Sequence, residues 1–172
     1  MRAALRLYPL TGLRGNELAG LRWKEVFFDE QKAVIPAVRC QKTKKPFTVY
    51  LSNQASVILR ELHEERRNGF VFRSSGSSVH ITLEGVNQAL HRSGIPKGQM
   101  CNHGWRAVML TLGHNYCTDY EAVELSASHE IGNAVAQAYN RGNYEERRRK
   151  FIQWWTDFLE ALLNDKELPK YA

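Results

Sequence analysis

The hydrophobic period of this chain switches from helical to two and back again, and that switch limits the fold more than any other feature. In PFTVYLS, Phe47, Val49 and Leu51 alternate with Thr48 and Tyr50, the pattern of a half-buried strand. Directly afterwards Ala55, Ile58, Leu59 and Leu62 recur at i, i+3, i+4 and i+7, with Ser52 placed to cap the helix they predict. Leu18 and Leu21 in GNELAGLRW carry helical spacing too. So do Leu83, Val86 and Leu90, ahead of the terminators Gly94 and Pro96. AVIPAVRC reads as a strand before PFTVYLS, with turns at FDEQK and KTKK, which puts Lys42, Lys44 and Lys45 on or beside a hairpin tip.

Helices dominate from residue 83 onward. Thr118-x-x-Glu121 and Asn143-x-x-Glu146 have the form of capping boxes, predicting helix starts just ahead of AVELSA and of RRRKFIQWWTDFLEALL. The expected class is α+β, mainly α-helical, with a small antiparallel sheet in the N-terminal half. At 172 residues the chain suits a single domain over one core. Met1 runs at once into the amphipathic RAALRLYPLTGL, so we expect a domain from a longer protein whose N-terminal part is missing here.

Charge narrows the partners. Lys and Arg number 24 against 18 Asp and Glu, a surplus that attracts polyanions but is also common in proteins that bind none. Cys40, Cys101 and Cys117 are odd in number, lack C-x-x-C spacing and follow no secretory signal; they read as reduced, buried thiols of a cytoplasmic protein. No apolar run approaches the roughly 20 residues of a membrane span.

Four stretches carry side chains suited to a phosphodiester. In TGLRGNEL, Arg14 stands at the mouth of a helix with Glu17 three residues on; a guanidinium there can donate two parallel hydrogen bonds to phosphate oxygens while the carboxylate orients it. In QKTKKPF, Lys42 projects an ammonium on a flexible stem, able to protonate a leaving oxygen. In NHGWR, His103 and Arg106 share one face near a helix start, where free N–H groups and the dipole favour an anion. In ASHEIGNAVAQAYNR, His129 precedes Tyr139, whose hydroxyl is a candidate nucleophile.

Taken singly, each has an ordinary explanation: a solvated helix pair, a polar turn, a chance H-x-x-R, a core tyrosine. Taken together they supply a nucleophile, two arginines, two histidines and a lysine in one basic domain. Their order and spacing resemble the catalytic domain of the tyrosine recombinases, in particular the integrases of prophages, satellite phages and genomic islands. The shared pattern runs from Thr11 to about Phe158: a TG-x-R-x-x-EL box, a hairpin lysine, HG-aromatic-R, a late histidine, and AYNR followed by a WW helix.

The resemblance implies the DNA breaking-rejoining fold. It makes Tyr139 the nucleophile, Arg14 and Arg106 the phosphate clamp, and His103 and His129 the remaining phosphate-contacting or proton-transfer groups. Lys42 becomes the general acid and Glu17 the supporting carboxylate. Phe47 and Tyr50 depart from the histidine and proline common in this branch, and ELSASH departs from its usual approach to the late histidine. Double-stranded DNA at attachment sites is the implied partner, and four protomers on two duplexes the implied assembly.

Lys44 and Lys45 at the hairpin, and Arg141, Arg147 and Arg148 close after Tyr139 in the chain, are candidates for DNA phosphate contacts. For the run 147–150 the competing reading is the solvated face of a helix that buries Phe151, Trp154, Trp155 and Phe158. We expect no cofactor and no metal. There is no GxxxxGK(S/T) phosphate loop, HEERR and HEIGN lack the second histidine of an HExxH site, and no acidic cluster suggests a two-metal nuclease. Two other readings stay open: a type IB topoisomerase, and a noncatalytic DNA-binding remnant of the same fold.

Overall fold

The computed structural model describes residues 1–40, 42–66, 69–74, 80–129, 131 and 141–171, the last stretch without the side chains of 141–143. Helix α1 (Arg2–Thr11) buries Ala4, Leu7, Tyr8 and Thr11, the i, i+3, i+4, i+7 set of a single face. Gly12 ends it with φ 61°, and a Cβ there would lie 2.5 Å from Cε of Met109. Both the left-handed turn and the close approach therefore require glycine. Next come α2 (Gly15–Ala19), a 3-10 turn at Trp23–Glu25, and strands β1 (Val26–Phe27), β2 (Lys32–Ile35) and β3 (Phe47–Tyr50).

The strands form an antiparallel sheet in the order β1-β2-β3, with Ala33 opposite Val49 and Ile35 opposite Phe47. Helices α3 (Asn53–Glu64), α4 (Leu83–Arg92), α5 (Gly104–Tyr116), α6 (Tyr120–Ser126) and α7 (Arg141–Leu163) complete the described elements. The mainly helical class with a small sheet in the N-terminal half is the expected one. The Ser52 hydroxyl accepts from the Ala55 amide at 3.2 Å, as the sequence predicts, and α4 stops at Arg92 just before Gly94 at φ 99°.

Several local expectations change. Asp119, not Thr118, caps α6, accepting from the Ala122 amide at 3.0 Å. Its carboxylate is also gripped by Arg147 at 2.7 Å, a contact 28 residues away that no local pattern reveals. Asn143 lies inside α7, which already includes Arg141, so the helix does not start where the sequence places it. Tyr50, expected on the open face of its strand, is buried beneath the α7 side chains Arg148 and Arg149, which lie 4.8 and 4.3 Å from its ring centre. Cys40 and Cys117 are buried as expected, but Cys101 is exposed just ahead of α5.

The hydrophobic residues separate into two clusters where the sequence suggested one core. Leu7, Leu18, Leu21, Ile35, Val49 and Leu59 belong to the first, built by α1, α2, the sheet and α3. Met109, Val123, Phe151, Trp155 and Phe158 belong to the second, built by α5, α6 and α7. Each large side chain sealed in this way contributes on the order of 1.5–3 kcal/mol. Gly113 lets α5 approach α6, since a Cβ there would sit 2.8 Å from Cγ1 of Val123. The indole N–H of Trp155 donates to the Pro9 carbonyl at 2.7 Å, tying the second cluster to the last turn of α1. Among the described residues no helix is long and apolar enough to cross a membrane.

Candidate active site

Arg14 takes extended backbone angles at the head of α2, and the chain there folds around Glu17. The Arg14 amide donates to one Glu17 carboxylate oxygen at 3.0 Å and the Arg14 guanidinium to the other at 3.2 Å. Glu17 is only 2% exposed, so its charge is held by these donors rather than by water. Arg39 closes the far side of α2, donating to the Glu17 carbonyl at 3.1 Å and pairing with Glu25 at 3.0 Å. The α1–α2 turn lies directly against the segment that starts α5: a Cβ on Gly15 would come 2.4 Å from Oδ1 of Asn102.

Arg106 projects from the first turns of α5 into this junction and is 5% exposed. Its Nη1 donates to the Gly12 carbonyl at 3.0 Å, whereas its Nη2 is buried with no hydrogen-bond partner among the described residues. Burial, and then repulsion by the Arg14 guanidinium, push its pKa down to about 10 against the opposing pull of Glu17 and Glu124. A buried, half-satisfied guanidinium beside a second one is unfavourable by itself. An anion shared between them would satisfy the open donor and relieve the repulsion.

The rim completes the site. His103, exposed at the head of α5, lines a groove with Arg14, Asn102 and Arg39. Arg14 also lines an adjoining cavity of about 400 Å³ with Lys42, Thr43, Lys45, Ser128 and His129. Lys42 and Lys44 are exposed on the β2–β3 connection, whose turn is closed by the Lys44 amide donating to the Cys40 carbonyl at 2.9 Å. His129 follows α6 through Ser128, held at φ 55°, and its Nδ1 bonds Glu124. The other Glu124 oxygen meets Nε2 of His114 at 2.6 Å.

Arg14 thus joins two adjoining hollows, one lined with His103 and the other with Lys42 and His129, with Glu17 behind it and Arg106 buried near enough to feel its charge. Tyr139 lies outside the described residues, as does the side chain of Arg141. Arg147 and Arg148 are engaged by protein groups, although Nε of Arg148 is buried without a hydrogen-bond partner among the described residues. Arg147 binds Asp119 and Glu121, the latter at 2.8 Å, and Arg148 donates to the Thr48 carbonyl while stacking on Phe47 and Tyr50. Arg39, His114 and Glu124 are the groups that sequence reasoning missed. Their partners lie on other elements or, for Glu124 and His129, are brought together by the helix-ending turn at Ser128, where the His129 amide donates to the Glu124 carbonyl. Among the described residues no group of three or more His, Cys, Asp or Glu could hold a metal ion.

The chain matches the phage integrase family over residues 1–146. Prophage integrase IntA of Escherichia coli K12 is 35% identical over 155 residues, covering 88% of this chain and 37% of that protein. The integrase of Enterobacteria phage P4 is 31% identical over 179 residues, 95% of this chain and 41% of its own length. The chain therefore spans about two fifths of these relatives. Among solved structures, the integrase of mycobacterium phage Brujita superposes with a TM-score of 0.67 at 18% identity over 88% of this chain and 50% of that one. The XerA recombinase does so at 0.60 and 14% identity, over 82% and 55%. At such identities the structures speak for the fold, while the sequence matches speak for descent: this chain belongs to the phage integrase family of tyrosine recombinases.

Proposed function

We propose that this chain is the catalytic domain of a site-specific DNA recombinase that integrates or excises a mobile element. The observation that carries the reading is the buried Nη2 of Arg106, without a hydrogen-bond partner among the described residues and beside the Arg14 guanidinium. A scissile phosphate fits that arrangement, since each guanidinium can donate to a nonbridging oxygen.

Tyr139 is the nucleophile in this reading. A phenol with an ordinary pKa near 10 attacks poorly at neutral pH, so His103 takes the proton as the oxygen–phosphorus bond forms. Charge builds on the nonbridging oxygens of a trigonal-bipyramidal transition state, where Arg14, Arg106 and His129 stabilise it. Lys42 protonates the departing 5′ oxygen. The products are a 3′-phosphotyrosyl linkage and a free 5′-hydroxyl, and attack by the 5′-hydroxyl of another strand reverses the step. The bond energy is conserved in the linkage, so the exchange needs no nucleotide cofactor.

The chain spans about two fifths of these relatives, and we infer further, from the family resemblance, that the domain works as the C-terminal part of a cytoplasmic integrase whose N-terminal core-binding and arm-binding domains grip the duplex, four protomers assembling on two attachment sites. A Tn1549 transposon integrase, at TM-score 0.60 and 12% identity, was solved in complex with a circular intermediate DNA, consistent with such a partner.

Nicked duplex carrying the element's attachment site tests the reaction. A covalent adduct that survives denaturation and disappears in Tyr139→Phe supports the recombinase. Relaxation of any supercoiled plasmid would favour a topoisomerase instead. Salt-sensitive binding without an adduct, with the full-length protein, would leave a DNA-binding remnant.

A further inference from the structure

The residue that orients His129 has no place in the reaction as described so far. We propose that Glu124 is a positioning residue for strand cleavage, its two carboxylate oxygens fixing the protonated nitrogens of His129 and His114 so that Nε2 of His129 is the one left for the phosphate groove. This rests on the recombinase reading for its functional consequence, though not for its geometry.

The carboxylate is an acceptor at both oxygens, so each imidazole must present an N–H to it. One oxygen takes Nδ1 of His129 and the other takes Nε2 of His114 at 2.6 Å. The backbone reinforces the first contact, because the His129 amide donates to the Glu124 carbonyl at 3.0 Å. His114 is fixed from its other side by the ring of Tyr120, 5.4 Å away. Glu124 is therefore clamped between α5 and the end of α6, and the His129 ring is held where it lines the cavity with Arg14 and Lys42.

Burial works against the Glu124 charge, but hydrogen bonds from His129 and His114 outweigh it and hold the carboxyl below its ordinary value. A permanent carboxylate on Nδ1 has a chemical consequence. When the ring is neutral, Nε2 is a bare acceptor; when the ring is protonated, Nε2 donates and Glu124 is its counter-ion. Glu124 thereby lets His129 alternate between holding a proton at Nε2 and releasing it, without turning the ring. The negative charge also acts on the buried Arg106, one of the groups it helps to keep cationic.

Two readouts test this. Nitrogen-15 spectra of the histidine rings in the intact chain should show neutral His129 as the Nδ1–H form and neutral His114 as the Nε2–H form. In Glu124→Gln the amide offers one acceptor and one donor, so at least one of the two rings must change tautomer. Adduct formation on nicked attachment-site DNA should fall on the order of 100-fold, as expected when a reacting group loses its alignment. Glu124→Asp, which keeps both acceptors, should recover part of that rate. A wild-type His129 found as the Nε2–H form would overturn the proposal, as would Glu124→Gln leaving ring signals and cleavage unchanged. An absence of adduct in the wild type would count against the recombinase reading alone, and the ring spectra would still decide the role of Glu124.

Discussion

Two basic stretches look alike in the sequence and have opposite fates in the fold. Residues 42–45 and residues 147–150 both invite the reading of a DNA contact. In the second, Arg147 is bidentate on Asp119, Arg148 lies over Phe47 and Tyr50, Arg149 binds Glu145 and the Glu30 carbonyl, and Lys150 sits 5.4 Å from the Tyr171 ring. In the first, Lys42 and Lys44 stand exposed beside the groove that holds Arg14 and His129. The lesson is that two runs of positive charge can be used differently by one fold: most of the second run is engaged by protein groups, with Nε of Arg148 left buried and unpaired among the described residues, while Lys42 and Lys44 face solvent. Arg148 goes further and performs a structural service: it fastens the helix that follows Tyr139 to the strand that follows the lysine hairpin.

This contrast can be broken by separating activity from stability. The largest effect is expected at Lys42→Ala, where loss of the proposed leaving-group acid should lower cleavage about 10²–10⁴-fold without moving the thermal midpoint. Quenched cleavage assays beside melting curves check both halves. A melting loss comparable to that of an Arg148 variant would mean that the hairpin lysine is structural after all.

Arg148→Ala should do the reverse. It removes the hydrogen bond to the Thr48 carbonyl and cation–aromatic contacts at 5.3 and 4.8 Å. The expected cost is about 2 kcal/mol, a drop of roughly 4–8 °C in a domain of this size. Calorimetry measures it, and a variant as stable as the parent would contradict the clamp.

Arg147 should act through pH. Its hydrogen bonds, against the opposing effect of burial, hold the Asp119 carboxyl below its ordinary value. A carboxyl whose folded pKa is depressed stabilises the native state above its unfolded pKa, and that contribution is lost as pH falls through the folded value. Urea midpoints should therefore decline on acidification below the usual carboxylate range. Arg147→Gln should flatten that limb by about 1 kcal/mol, because the pair is partly solvent-screened. The smallest effect belongs to Lys44→Gln: an unchanged melting curve, and a salt dependence of DNA binding weakened by about 0.9 in log–log slope.

The sequence and the structure part company for the same reason. The Ser52-capped helix, the strand at Phe47 and the Arg14–Glu17 pair are legible because each is written within a few adjacent residues. The cap of α6 is displaced because Asp119 answers to Arg147, far along the chain. Tyr50 is buried, against its place in the alternation, because α7 covers the outer side of β3. Arg106 could be read as an anion ligand from H-x-x-R, yet the Gly12 carbonyl that holds its Nη1 reaches it only after α1 turns back onto α5. Glu124 between His114 and His129 shows the same limit, being assembled from the end of one helix, the body of another and a turn.

The central claim is that Arg14 and Arg106 share the negative charge of one scissile phosphate. A duplex with a neutral methylphosphonate at the cleavage position tests it most directly, when cleavage by the parent and by Arg106→Ala is compared on charged and neutral linkages. The account predicts that the arginine deletion is severe on the charged phosphate and much milder on the neutral one, a coupling between side chain and charge. Equal losses on both linkages would show that Arg106 supports the fold rather than the phosphate, and would contradict it.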